Sequence, residues 1–217
     1  MLGNASVAGV VLAAGTSTRM GGPNKLLFDV GGEPLVRRSV ARALAAGLSP
    51  VVVVLGHEAE RVRAQLEGVP CRTVMNAEYA RGINASLKAG VAAVPATAEA
   101  VVVMLADMPF VTTAMMETLV ATYRRSEAPL VVSDYQGVNA PPMLYDRSLF
   151  GELAALEGQG CGKHVVKRHR HEAESVSWPV EALTDLDEPG DFTRVKASVE
   201  GPVPSDVEAR SRVEGRH

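Results

Sequence analysis

The stretch whose reading decides the fold is Val10–Leu27, VVLAAGTSTRMGGPNKLL. It opens as an apolar strand, breaks after Ala14 into small and polar residues, and ends on Lys25 followed by two leucines. A loop that leaves the first strand for the first helix of an open α/β sheet lies at the carboxyl ends of the strands, where ligands bind. Its glycines let backbone N–H groups approach anionic oxygens. Arg19 can hold phosphate oxygens in a bidentate fork, and Lys25 adds a compact point charge. The plain alternative is a structural βα turn. Three familiar phosphate loops do not fit. G-x-G-x-x-G is absent, because Gly15 is followed by Thr16, Ser17, Thr18, Arg19 and Met20. The P-loop needs a second glycine where Met20 stands. The kinase loop needs a later Val-Ala-Ile-Lys strand, which the chain lacks.

Outward from this loop, short valine-rich runs recur at Val7–Leu12, Val51–Leu55, Arg72–Met75, Ala100–Leu105, Leu130–Val132 and Met143–Tyr145. They are continuously apolar rather than alternating, as in strands covered by helices on both faces. Helical patterns lie between them. Pro34–Ala46 carries Leu35, Val36, Val40 and Leu44 on one face, with Arg37, Arg38 and Arg42 mostly elsewhere. Further helices are expected over Glu58–Leu66, Ile83–Val94, Thr112–Arg125 (Thr112 as N-cap), Ser148–Leu156 and Gly162–His169. The alternation predicts an α/β chain with a single Rossmann-like, doubly wound, mainly parallel sheet flanked by helices. One domain is expected over residues 1–200, with a polar tail over 201–217.

Composition supports an ordinary globular enzyme-sized domain. The 217 residues are 47% hydrophobic and 22% charged, with a formal net charge of −3. Such a balance gives no reason to expect nucleic acid or a membrane surface as a partner. No apolar run reaches the roughly 18 residues of a membrane-crossing helix. Cys71 and Cys161 form neither a disulfide framework nor a zinc-finger spacing. The N-terminus lacks a basic residue before its apolar run, so a cytoplasmic location is expected.

Three further stretches carry chemistry. EYARGINASLKAG, Glu78 to Gly90, offers Gly82 as a sharp entry to a helix and Ser86 in its first turn; a helix N-terminus offers free N–H groups to anions. VVVMLADMPFV, Val101 to Val111, delivers Asp107 at the end of a buried strand, with Pro109 stopping direct helical continuation. In a doubly wound sheet Asp107 lies beside the first loop. Where phosphates are bound, Mg²⁺ commonly takes one or two carboxylates plus phosphate oxygens. LTDLDEPGDF, Leu183 to Phe192, clusters Asp185, Asp187, Glu188 and Asp191; read alone, it is a solvated acidic turn. Cys161, His164, His169 and His171 match no standard zinc spacing. The basic patch of Lys163, Lys167, Arg168 and Arg170 is suited to an anionic acceptor, or is simply solvated.

L-A-A-G-x-S-x-R-M-G followed by a lysine resembles the signature of the nucleotidyltransferases that build molybdenum cofactors. Leu12-Ala13-Ala14-Gly15 is closer to the cytidylyltransferase branch than to the guanylyltransferase branch, which usually reads L-A-G-G. The resemblance runs from about residue 7 to 195. It implies a nucleotide-diphospho-sugar transferase-like fold and an enzyme that transfers CMP from CTP to the terminal phosphate of a molybdopterin-type acceptor. It implies that Leu12, Ala13, Ala14, Gly15, Ser17, Arg19 and Lys25 wrap the nucleotide triphosphate, with Gly82 and Ser86 on the opposite wall. It implies Mg²⁺ on Asp107 and Asp187, catalytic roles for Arg19, Lys25 and Asp107, and a client molybdoenzyme as a further partner. The family pattern weakens at Gly137–Leu144 and at Gly158–Lys163, in the half that normally faces the pterin. GTP as donor, a sugar or polyol phosphate acceptor, and a non-catalytic nucleotide-binding accessory protein therefore stand as alternatives.

Overall fold

The computed structural model describes residues 6–16 and 24–183. Arg19, Ser17 and the acidic stretch with Asp187, together with the expected boundary at residue 200, lie outside the described residues. The described strands are β1 (Ser6–Ala13), β2 (Val51–Leu55), β3 (Arg72–Met75), β4 (Ala98–Leu105), β5 (Leu130–Tyr135), β6 (Val138–Asn139), β7 (Met143–Asp146) and β8 (Ala173–Ser177). The helices are α1 (Leu35–Ala45), α2 (Ala59–Ala64), α3 (Ile83–Ala92), α4 (Thr113–Ser126), α5 (Phe150–Ala155) and α6 (Lys163–Arg168).

The strands form one sheet in the order β3-β2-β1-β4-β7-β5-β6, with β8 also paired to β5. β1 runs parallel to β2 and β4, β2 to β3, and β5 to β8. β7 is antiparallel to β4 and β5, and β6 returns antiparallel on β5 through a turn at Gln136-Gly137. The sheet is therefore mostly parallel, as the continuous apolar runs imply, with an antiparallel insertion on one side.

Alternate residues of each strand enter two separate cores. Val11 and Val53 join Leu35, Val36, Val62, Met116 and Leu119 under α1, α2 and α4. Val10, Val54 and Val103 join Leu87, Val91, Leu153 and Val165 under α3, α5 and α6. Gly90 lets α3 settle on this second face, since a Cβ there would meet Val10 Cγ1 at 2.5 Å. α4 starts where Thr112 predicts it, because the Thr112 side-chain oxygen accepts from Met115 N–H at 3.2 Å.

The structure adds to or alters the sequence reading at four places. β8 and the two-residue β6 carry no apolar run and escape a hydrophobicity pattern; three of the five residues of β8 are exposed and none is buried. Ser148–Leu156 is a 3-10 turn at Arg147–Leu149 followed by α5, because Asp146 caps the turn by accepting from Ser148 N–H at 2.8 Å. The arginines of α1, off its apolar face as read, hold backbone carbonyls. Arg37 donates to Gln65 O and Glu67 O, Arg38 to Val30 O, and Arg42 to Pro109 O and Val111 O. Finally, the basic patch near α6 is partly neutralised: Glu152 of α5 pairs with Arg168 at 2.6 Å and with His169 Nε2 at 2.8 Å.

The Glu152 hydrogen bond raises the His169 pKa above its ordinary 6.5, with Glu172 adding to it and burial opposing it. The same bond holds Glu152 below 4.5. A raised histidine contributes stability that is complete below its unfolded value and lost as pH rises through the folded one. His169→Gln is therefore expected to lower the melting temperature most below about pH 6 and to have a smaller effect as pH rises through the raised folded-state value, where the wild-type imidazole loses its proton. Thermal melts of the two proteins across that range check this.

Candidate active site

β1 and β4 lie side by side in parallel, with Leu12 opposite Leu105. Both chains leave the sheet at the same end, and Ala106 N–H donates to Leu12 O at 3.1 Å. Asp107 follows at once. Lys25, in a 3-10 turn at Lys25–Leu27, places Nζ 2.7 Å from Asp107 Oδ2, with side chains only 11% and 24% exposed. The two sequence-predicted charges are thus brought together at the carboxyl ends of the central strands. Asn24 caps the turn that carries Lys25, its Oδ1 accepting from Leu26 N–H at 3.1 Å.

A cavity of about 370 Å³ opens beside this pair. Leu12, Ala14, Gly15 and Asp107 line one part of it, and Tyr79, Gly82, Ile83 and Ser86 another, with Gln159 across from them. Ala13 does not line it. Strand alternation turns Ala13 into the core beneath α1, whereas Leu12 and Ala14 belong to the opposite face. Ala14 fits closely against its neighbours: a Cβ on Gly56 would lie 2.8 Å from Ala14 Cβ and 2.7 Å from Tyr79 Cβ.

Gly82 has φ of 119°, a conformation L side chains rarely adopt, and provides the sharp entry to α3. The amides that follow it are not free for an anion, contrary to the reading of a bare helix N-terminus. Ile83 N–H donates to Gln159 Oε1 at 3.4 Å and Asn84 N–H to Gly158 O at 3.2 Å. Ser86 is buried, and its hydroxyl accepts from Asn76 Nδ2 at 3.0 Å. Ser86 therefore borders the cavity while holding Asn76 in place.

Residues that local patterns do not reveal hold the Asp107 loop. Ser39 of α1 donates to Ala106 O at 2.9 Å, and Arg42 donates to Pro109 O at 2.5 Å and Val111 O at 2.7 Å. Burial, more than the neighbouring Arg38 charge, pulls the Arg42 pKa down to about 10, with Glu33 opposing; it stays cationic at neutral pH. An (i, i+3) Ser-Arg pair on the inward side of α1 is the signal that could have marked them. Cys161 is buried, with its thiol pushed up to about 12 by burial and then by the Asp107 charge, so it stays protonated. Cys161, His164, His169 and His171 form no metal cluster, and none of three or more His, Cys, Asp and Glu occurs among the described residues.

The donor set around Asp107 fits a hard divalent cation. An accessible carboxylate faces the cavity, and the Lys25 ammonium already stands as a positive charge at 2.7 Å from it. Mg²⁺ commonly takes one or two protein carboxylates and completes its shell with phosphate oxygens and water. Asp107 offers a carboxylate of that type at the cavity.

The Lys25–Asp107 pair and the cavity beside it have counterparts to be sought among known proteins of the same fold. The chain is 29% identical over 189 residues to nicotine blue oxidoreductase of Paenarthrobacter nicotinovorans, covering 84% of this chain and 88% of that one. It is 39% identical over 111 residues to a probable molybdenum cofactor guanylyltransferase of Natronomonas pharaonis, a match covering 51% of this chain and about half, 54%, of that relative. Among solved structures, the homologue of Mycobacterium tuberculosis Rv0371c from Mycobacterium sp. strain JC1 superposes with a TM-score of 0.77 at 31% identity, covering 89% of this chain and 96% of that one. Rv0371c of Mycobacterium tuberculosis H37Rv in complex with manganese gives 0.73 at 28% identity, covering 89% and 99%. Residues 9–173 match the model of the MobA-like NTP transferase domain, and the chain belongs to that nucleotidyltransferase family.

Proposed function

We propose that the protein is a divalent-metal-dependent nucleotidyltransferase that transfers CMP from CTP to the terminal phosphate of a molybdopterin-type acceptor, releasing pyrophosphate. The observation that carries this reading is the Lys25–Asp107 pair, 2.7 Å apart beside the Leu12–Gly15 loop. An acceptor phosphate oxygen attacks the α-phosphorus, the bond between the α-phosphorus and the bridging oxygen breaks, and pyrophosphate carries away the electron pair. A phosphate monoester has its second pKa near 6, so it is largely dianionic at neutral pH and needs no general base. The protein's share of the work is positioning and charge. Asp107, with Asp187 as the expected second carboxylate, would hold Mg²⁺, which when bound supplies charge neutralisation at the phosphates. Lys25 and Arg19 offset the charge that gathers on pyrophosphate. Manganese in the Rv0371c complex supports a divalent cation for this protein.

CTP is preferred over GTP because Ala14 stands in the cavity wall where a glycine marks the guanylyl branch. The guanylyltransferase relative makes GTP the rival donor. A second reading comes from the relative named an oxidoreductase; the missing G-x-G-x-x-G argues against dinucleotide use through this loop. Domain limits of 1–200, a cytoplasmic setting and a client molybdoenzyme are parts of the same proposal. No helix among the described residues is long and apolar enough to cross a membrane.

The test is pyrophosphate release from each of the four nucleotides with Mg²⁺, with and without purified molybdopterin. Release that requires the acceptor and is fastest with CTP is expected. Faster release with GTP overturns the base choice, and no release with any nucleotide overturns the transfer reaction.

Arg42→Ala adds a check on positioning. With its two carbonyls released, Asp107 loses its fixed place, and a misplacement of about 1 Å costs on the order of 10²-fold in rate. A fall in kcat with little change in nucleotide affinity is expected from pyrophosphate-release kinetics and nucleotide titration.

A further inference from the structure

The segment Glu157–Gly162 lies far from α3 in sequence and yet is fastened to it. Asn84, fully buried, donates through Nδ2 to Glu157 O at 2.8 Å and Gln159 O at 3.0 Å. Its Oδ1 accepts from Gly162 N–H at 3.2 Å, and its own N–H donates to Gly158 O at 3.2 Å. One side chain and one amide thus satisfy four groups of a loop that has no strand or helix of its own to do so. Buried polar groups that are all paired fix a single arrangement, because losing any partner strands the others away from water. The loop is held as a wall of the cavity.

The wall carries one polar side chain into the cavity, that of Gln159. Its Oε1 is engaged by Ile83 N–H at 3.4 Å. Its Nε2 lies over the bare face of Gly82, at 2.9 Å from where a Cβ would stand. Any other residue at 82 would push this amide aside. Gln159 thus stands in the part of the cavity bounded by Tyr79, Gly82 and Ile83.

We infer that Gln159 is a specificity-determining residue whose Nε2–H donates to an exocyclic carbonyl oxygen of the nucleobase, and that Asn84 is the positioning residue that holds it there. This rests on the nucleotidyltransferase reading and deepens it, assigning Gln159 to the nucleotide because it lines the same cavity as Leu12, Ala14 and Gly15, although the resemblance places Gly158–Lys163 in the half that normally faces the pterin. With phosphates at the Gly15–Asp107 end, the base lies toward Tyr79 and Gly82, where this donor waits. Because Oε1 is already used by the backbone, Gln159 offers a donor rather than an acceptor. Cytosine, uracil and guanine carry a carbonyl oxygen; adenine does not. The site thus distinguishes adenine from the other three, whichever of them is the natural donor.

The test measures nucleotide binding to the full chain by calorimetry in Mg²⁺, without acceptor, so no turnover is needed. Wild type is expected to bind CTP, UTP or GTP more tightly than ATP. Gln159→Glu keeps an oxygen for Ile83 N–H and removes the donor. Gln159→Glu and Gln159→Ala should each weaken the carbonyl-bearing nucleotides by roughly tenfold, the worth of one hydrogen bond at the upper end, while leaving ATP little changed for Gln159→Ala. Asn84→Ala should erode the same discrimination, and Asn84→Asp, which retains Oδ1 for Gly162 N–H, should restore part of it. Thermal melts identify any Asn84 variant that fails to fold, and the exposed Gln159 variants then decide the matter alone. Wild type that discriminates, with Gln159 variants that discriminate equally well, overturns this inference and leaves the transferase reading intact. Wild type that binds no nucleotide at all overturns the transferase reading itself.

Discussion

Asp107→Asn is expected to lower kcat for nucleotidyl transfer by about 10²–10³-fold, the loss seen when one preorganised charge-stabilising group is removed, or about 2.7–4 kcal/mol of barrier. The substitution keeps the size of the side chain and its place after β4, where Ser39 and Arg42 clamp the neighbouring carbonyls. What it removes is the negative charge facing Lys25 and the cavity. The loss should appear in kcat more than in nucleotide affinity, because the Leu12–Gly15 loop and the Gly82 wall remain. Steady-state kinetics over a range of Mg²⁺ concentrations, with nucleotide titration alongside, separates the two. A variant with unchanged turnover means that Asp107 is not the metal-binding carboxylate.

The second large effect is at Gly82. Gly82→Ala places a Cβ 2.6 Å from Gly158 O and 2.9 Å from Gln159 Nε2, at a φ of 119°. Backbone strain of this kind costs of order 1–3 kcal/mol, and the contact with a backbone oxygen cannot be relieved by a side-chain rotation. The 157–162 wall must move outward, carrying Gln159 with it. A lower melting temperature and a nucleotide affinity weakened by about tenfold or more are expected, since several hydrogen bonds shift together. Nucleotide titration and a thermal melt of the same sample check both. By contrast, a Cβ on Gly15 meets no atom within 4 Å among the described residues.

The sequence makes the central sheet legible for a physical reason. Strands covered on both faces must be apolar at every position, and Val51–Leu55 is buried throughout. Edge strands carry no such demand. β8 is mostly exposed, with the pattern intermediate, exposed, exposed, intermediate, exposed, and nothing in AESVS separates it from a loop. The site divides in the same way. Asp107 is visible because a charge at the end of an apolar run is unusual, and Lys25 because it closes a glycine-containing loop after the first strand. The Asn84 clamp is not visible, because its partners are 73 to 78 residues away and a buried asparagine inside a helix looks like any other polar residue. The Arg42 clamp is hidden for the same reason: its carbonyl partners are 67 and 69 residues distant. The free helix N-terminus read at Gly82 fails because Gly158 and Gln159 arrive from the far end of the chain to occupy its amides.

The central claim is that a nucleotide's α-phosphorus is handed to a phosphorylated acceptor. The most direct measurement follows CTP labelled at the α-phosphorus in the presence of Mg²⁺, purified molybdopterin and the protein. The label is expected in a new dinucleotide-sized product, in equal amount to the pyrophosphate released and formed about 10²–10³-fold more slowly when Asp107→Asn replaces the wild type. Label that stays in CTP, while the same preparation reduces or oxidises an added pigment, contradicts the account.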